Sequence, residues 1–189
     1  MCDCLSQAER NYSNFWVCEE VSAIMNARPL DLLEAFRRDH AVLGRGLHEI
    51  SEHLRGGDLA AAKACGERVD RQAGAHIAFE EQFFYPLLRR LLGNAEVDRL
   101  YHEHGQGLSV IKALAQLPQR ATLGEAERRT MLRDSEAMEA HVAECGELFG
   151  TMGRIPLDEQ NALYRELVAL RDKAPRWTEF AAKAETKKS

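Results

Sequence analysis

The sequence predicts an all-α protein, an up-down antiparallel four-helix bundle, and three observations predict it. Four long segments carry apolar residues three and four positions apart, the spacing of one helix face. Short connectors containing Gly or Pro separate them, which favours antiparallel neighbours in a bundle. No stretch alternates apolar and polar residues long enough to make a strand, and no repeat of solenoid length is present.

Taken in order, residues 1–28 form an N-terminal extension, weakly periodic, with a short helix expected at 12–25. Arg28-Pro29 breaks the chain, because a residue before proline is pushed out of the helical region. The bundle is expected over 29–175. Its first helix spans 30–55 and stops at Gly56-Gly57. A second starts at Asp58, a suitable N-cap, and runs to Gly93, a suitable residue just past a helix end. The third covers 95–117 and ends before Pro118. The fourth begins near Thr122, where Thr122-Leu-Gly-Glu125 has capping-box spacing, and closes near Gly150–Gly153. A fifth, C-terminal helix is expected at 157–173, between Pro156 and Pro175, with a flexible tail over 176–189.

Composition narrows the function. At 189 residues, 45% hydrophobic and 29% charged, the chain is long enough to bury a core without staples. A net charge of -5 and no basic face exclude nucleic acid as a main partner. No apolar run reaches the ~18–20 residues of a membrane span. The N-terminus lacks a secretory pattern, and the five cysteines are odd in number and irregularly spaced. Together these predict a cytoplasmic protein with reduced thiols, compatible with a homodimer.

Four of the seven histidines fall on the apolar stripe of a different helix each. His40 lies with Leu43, Leu47 and Leu54. His76 lies with Phe79, Glu80, Phe83 and Leu87, so that His76 and Glu80 sit one turn apart. His104 lies with Leu100, Leu108 and Ile111, and His141 with Met138, Cys145 and Leu148. A single core histidine is ordinarily satisfied by a neighbour. Four of them beside an apolar-face glutamate are costly to bury without a compensating cation. Imidazoles with a carboxylate, converging from four helices, suit iron or manganese better than calcium and exceed a four-coordinate zinc site. Glu80, as the carboxylate, is the candidate to bridge two ions.

The stretch His76-Ile-Ala-Phe-Glu80-Glu-Gln-Phe-Phe-Tyr-Pro86 resembles the signature of haemerythrin-like domains, also called HHE cation-binding domains. Asp39-His40, Glu103-His104 and His141-Val-Ala-Glu-Cys145 fall where that family's other ligand helices would be, and Ala174-Pro175-Arg176 is similar to its closing motif. The resemblance implies iron, a di-iron centre with a single iron as the alternative, held by His40, His76, Glu80, His104 and His141. It also implies a carboxylate four or five residues after His141, where this chain has Cys145 and Gly146. Cys145 as a thiolate, or Glu144 from a neighbouring face, would then complete the shell, the alternative being that Cys145 is only a small buried residue; Glu147 is less well placed. The oxygen-carrying haemerythrins have a second histidine one turn on in the third helix, where Leu108 stands here. Open coordination positions therefore favour reactivity or sensing over oxygen carriage. Ferritin-like di-iron proteins are excluded, because Arg37, Ala73, Tyr101 and Met138 precede the four histidines by three residues where a glutamate is required.

Among the remaining residues, His48, His53 and His102 lie off the seams. The aromatic run Phe79, Phe83, Phe84, Tyr85 reads as packing, as does Tyr101, with a hydrogen-bond donor behind the site as its alternative; Glu81 and Glu103 either orient imidazoles or are solvated. Cys2-Asp-Cys4 is a pair at the terminus, metal-binding or incidental. No nucleophile triad, P-loop or dinucleotide glycine motif is present. The resemblance thus implies a non-haem iron protein that binds or reacts with oxygen, nitric oxide or peroxide, in sensing, detoxification or iron handling, with turnover left open. A regulatory helical module whose partner reads metal occupancy, or a metal-free oligomerisation bundle, are the alternatives.

Overall fold

The computed structural model describes residues 30–118 and 122–186, without the side chains of 30–31, 145–149 and 182–186. The N-terminal extension with its expected helix, and Cys2 and Cys4, lie outside the described residues, as does the side chain of Cys145. Among the described residues every regular element is helical.

Helix α1 spans Leu30–Gly56. Its buried positions Leu32, Phe36, His40, Leu43, Leu47, Ile50 and Leu54 recur every three or four residues, which gives one continuous inward stripe. Gly57, with φ of +76°, turns the chain. The Asp58 carboxylate then accepts the Ala61 N–H at 3.0 Å and caps α2, Leu59–Phe79, a contact worth about 1 kcal/mol. A π-helical turn, Glu80–Phe84, leads into α3, Tyr85–Leu92, which Gly93 ends with φ of +87°. Helix α4 is Asn94–Gln116, α5 is Glu125–Met152, α6 is Leu157–Lys173 and α7 is Trp177–Thr186.

Contacts along the long helices set their directions. Gly46 of α1 faces Val69 of α2, while His40 meets His76 nearer the start of α1 and the end of α2. Gly44 lies against Val142 of α5, and Ser51 bonds Ser135 at 3.0 Å. On the far side, Gly66 of α2 faces Leu114 of α4, and Gly107 of α4 faces Met138 of α5. The paired contacts of α1 with α2 and of α1 with α5 run in opposite directions along the two helices, and all four glycines sit where a Cβ would crowd the neighbouring helix.

The core consists of two apolar clusters. One joins Leu32, Phe36, Phe79, Phe84, Tyr85 and Leu88 to Leu163, Leu167 and Leu170 of α6. The other joins Leu43, Leu47, Ile50 and Leu54 to Val69, Ile111, Leu114, Met138 and Trp177. Side chains of this kind contribute roughly 1.5–3 kcal/mol each when fully buried.

The structure corrects three expectations. The second helix is not one α-helix from 58 to 93, since the π turn inserts a residue at 80–84. Pro86 stands two residues after its end and has no N–H for the carbonyl four residues back, which weakens the α pattern there. Second, α5 starts at Glu125 and not near Thr122; Gly124 takes the cap position and its carbonyl accepts the Arg128 N–H at 2.9 Å. Third, the segment expected to be a flexible tail from 176 onward contains α7, whose Trp177 is 1% exposed. Asp70 of α2 caps it, accepting the Thr178 N–H at 2.9 Å and its hydroxyl at 3.1 Å. Gly74 permits this docking, because a Cβ there would stand 1.9 Å from the Pro175 carbonyl oxygen.

Candidate metal centre

Where the two apolar clusters abut, α1 delivers His40, α2 His76, the π turn Glu80, α4 His104 and α5 His141. All five are buried, none more than 6% exposed. Glu80 stands between the histidines. Its Oε1 is 3.9 Å from His40 Nε2, and its Oε2 is 3.5 Å from His76 Nε2 and 3.2 Å from His104 Nε2. Two triads result, His40–His76–Glu80 and Glu80–His104–His141, each with ligand atoms within 4.8 Å of one another.

Each imidazole is held from behind through Nδ1. His40 Nδ1 donates to the Phe36 carbonyl at 2.9 Å, His76 Nδ1 faces Asp39 at 3.2 Å, His104 Nδ1 faces Glu81 at 3.0 Å, and His141 Nδ1 faces Glu103 at 2.7 Å. An imidazole that donates at Nδ1 presents its other nitrogen as a lone pair, so these acceptors select the tautomer a metal requires. Asp39 is itself gripped by Arg171 of α6 at 2.7 Å through both oxygens.

Electrostatics divide the four rings. Burial pushes His40 down to about 4, with the neighbouring His76 adding to it. Burial, then His104, also lowers His141. Burial works against protonation of His76 as well, but Glu80 and Asp39 outweigh it and lift that ring to about 9. His104 is raised in the same way, Glu80 and Glu81 overcoming burial. Glu80 is held well below the usual carboxylate range, because His76 and His104 outweigh its own desolvation. Glu80 thus draws His76 and His104 toward their protonated forms, positive charge that a bound cation would replace.

A family model, the hemerythrin HHE cation binding domain, matches residues 31–149. The chain belongs to that family. No curated protein and no solved structure matches it. Membership implies a metal cofactor, typically iron, and the residues fit one. Among the described residues, His76 Nε2 and Glu80 Oε1 are buried with no hydrogen-bond partner, an arrangement whose cost a cation would remove. The donor set of nitrogen and carboxylate oxygen suits iron.

Of the site residues read from the sequence of this HHE domain, His40, His76, Glu80, His104 and His141 are brought together. Glu144 is not: its side chain is exposed and points to Arg99 at 3.4 Å, because its position on α5 turns it toward solvent. Glu81 and Glu103 do orient imidazoles, while His48 and His102 are exposed. Tyr101 does more than pack, donating its hydroxyl to the Glu81 carbonyl at 2.8 Å. Asp39 as a support, the Phe36 carbonyl, Tyr85 and Trp177 were missed. Asp39 precedes a seam histidine, and Trp177 is a large aromatic beside Pro175; these were the available signals. No described helix is long and apolar enough to cross a membrane.

Proposed function

We propose that the chain is a non-haem iron protein whose residues 29–175 form an up-down four-helix bundle around a di-iron centre. It binds or reacts with oxygen, nitric oxide or peroxide, in sensing, detoxification or iron handling. His40 and His76 would hold one ion and His104 and His141 the other, with Glu80, the carboxylate common to both triads, available to each. The observation that carries this reading is the position of Glu80 as the shared corner of two triads. When bound, iron supplies one-electron chemistry and an open coordination position for the small ligand.

The protein's own contribution is orientation and exclusion of water. Phe36 packs on His40 and His76 with ring centroids 4.4 and 4.8 Å away, and Phe79 and Phe84 extend that wall. Asp39, Glu81 and Glu103 hold three rings in place, so little reorganisation accompanies binding. Cys145 remains a candidate to complete the shell from α5. The irregular cysteines support a reducing, cytoplasmic setting.

Metal analysis with an optical spectrum, on protein from iron-supplemented cells, tests the reading. About two irons per chain are expected, with near-ultraviolet bands of bridged ferric iron. No iron, and none taken up on reconstitution, would falsify it.

A second reading has its own observation. Arg171 of α6 grips Asp39, which holds His76, and Trp177 of α7 lies 6.3 Å from the His104 ring. Both C-terminal helices thus touch groups behind the ligands, and a partner bound to them would sense metal occupancy. Amide exchange that is the same in α6 and α7 with and without iron would rule this out.

A further inference from the structure

We propose that Tyr85 is a ligand of the ion held by Glu80, His104 and His141, binding through its phenolate oxygen. The inference rests on the iron-centre reading and extends it to a residue outside the histidine and carboxylate set. In an unbroken α-helix Tyr85 would sit about 140° around the axis from Glu80 and face away from it. The π turn changes this. The Tyr85 N–H donates to the Glu80 carbonyl five residues back, and the tyrosine enters the core with 0% exposure. Turns of this kind are frequent at functional sites.

The distances are those of a coordination shell. Tyr85 Oη lies 2.9 Å from His104 Nε2, and that same nitrogen lies 3.2 Å from Glu80 Oε2. Two donors bound at roughly 2.0–2.2 Å to one cation, at right angles, stand about 3 Å apart. Three donor atoms of three kinds are therefore already spaced as neighbouring ligands. Tyr85 and His104 also share one support: Tyr101 packs edge-on against Tyr85 at 5.1 Å and bonds the Glu81 carbonyl, while the Glu81 carboxylate holds His104.

Charge argues the same way. Glu80 is the one carboxylate common to both triads, so a pair of cations would meet a single negative charge from it. A phenolate adds a second. On binding, the Tyr85 O–H bond breaks, its proton leaves to solvent, and the oxygen takes the cation; no electron moves.

A ferric phenolate announces itself by a visible charge-transfer band and by tyrosinate ring vibrations enhanced when that band is excited. The full-length chain is loaded with iron and air-oxidised, and the same is done for Tyr85→Phe and for Tyr164→Phe, a tyrosine of α6 packed at the edge of the first apolar cluster. The band is expected in wild type and in Tyr164→Phe and lost in Tyr85→Phe. Ring-deuterated tyrosine should shift the enhanced vibrations, a readout that does not require Tyr85→Phe to fold. Iron-loaded wild type without the band, or Tyr85→Phe that keeps it, overturns the proposal and leaves Tyr85 a hydrogen-bond donor to His104. Failure to take up iron at all would instead overturn the iron centre itself.

Discussion

The two halves of the centre share Glu80 but are supported differently. In the His40–His76 half, one ring leans on a backbone carbonyl and the other on Asp39, and an apolar Phe36 ring packs across both. In the His104–His141 half, both rings are held by carboxylates, Glu81 and Glu103, and Tyr85 approaches the ligand face. A carboxylate behind an imidazole raises its basicity and strengthens it as a donor. On the di-iron reading, one carboxylate support among the described residues of one half and two in the other predict inequivalent iron positions, with the His104–His141 half the stronger binder and the first to fill.

The largest effects come from removing what the halves have in common. Glu80→Gln should abolish nearly all iron binding, since it takes the charge from both triads at once. His40→Ala and His141→Ala each strip one half, so about half of the iron should remain in either variant, a loss expected for paired but separate ions. Iron content measured on the three purified variants checks this. If His40→Ala alone emptied both positions, the halves would be one site and the comparison would be wrong.

How much of this difference was legible in the sequence depends on what makes each feature. Helix periodicity and its Gly and Pro punctuation are local, so α1, α4 and α6 stand within a residue or two of where they were expected. Seam histidines follow from the same periodicity, which is why the five core residues could be read. The π turn could not be read this way. One inserted residue leaves the composition unchanged and rotates everything after it, so Phe84 and Leu88 are fully buried while Phe83 is only partly so. Tyr85 was hidden by the same rotation. Helix α7 was missed because its stability comes from distant partners, the Asp70 cap and the spaces left by Gly74 and Gly107, which a tail sequence does not announce. Glu81, Glu103 and Asp39 each stand beside a ligand in the chain, but each supports a histidine on another element, a pairing that only the packing reveals.

Smaller effects sharpen the comparison from behind the ligands. Asp39→Asn removes the carboxylate that supports His76, and Glu103→Gln leaves Glu81 in place in the other half. Losing such a support costs roughly 10- to 100-fold in metal affinity. Asp39→Asn should fall at the upper end of that range and Glu103→Gln at the lower, in competition titrations against a coloured chelator. Equal losses would mean that the supports act only as packing.

The smallest expected effect is that of Arg171→Ala, and it is the one that tells orientation from charge. Arg171 contacts both oxygens of Asp39 but is more than a third exposed, and ion pairs this open to water contribute little by themselves. Its removal leaves Asp39 ionised and free to turn. If orientation is what Asp39 supplies, affinity in the His76 half should drop a few-fold, with the His104 half unmoved. If Asp39 acts by charge alone, the guanidinium had been opposing it, and its loss should tighten iron in that half. The same titration reads either sign, and a tightening would detach α6 from the work of the centre.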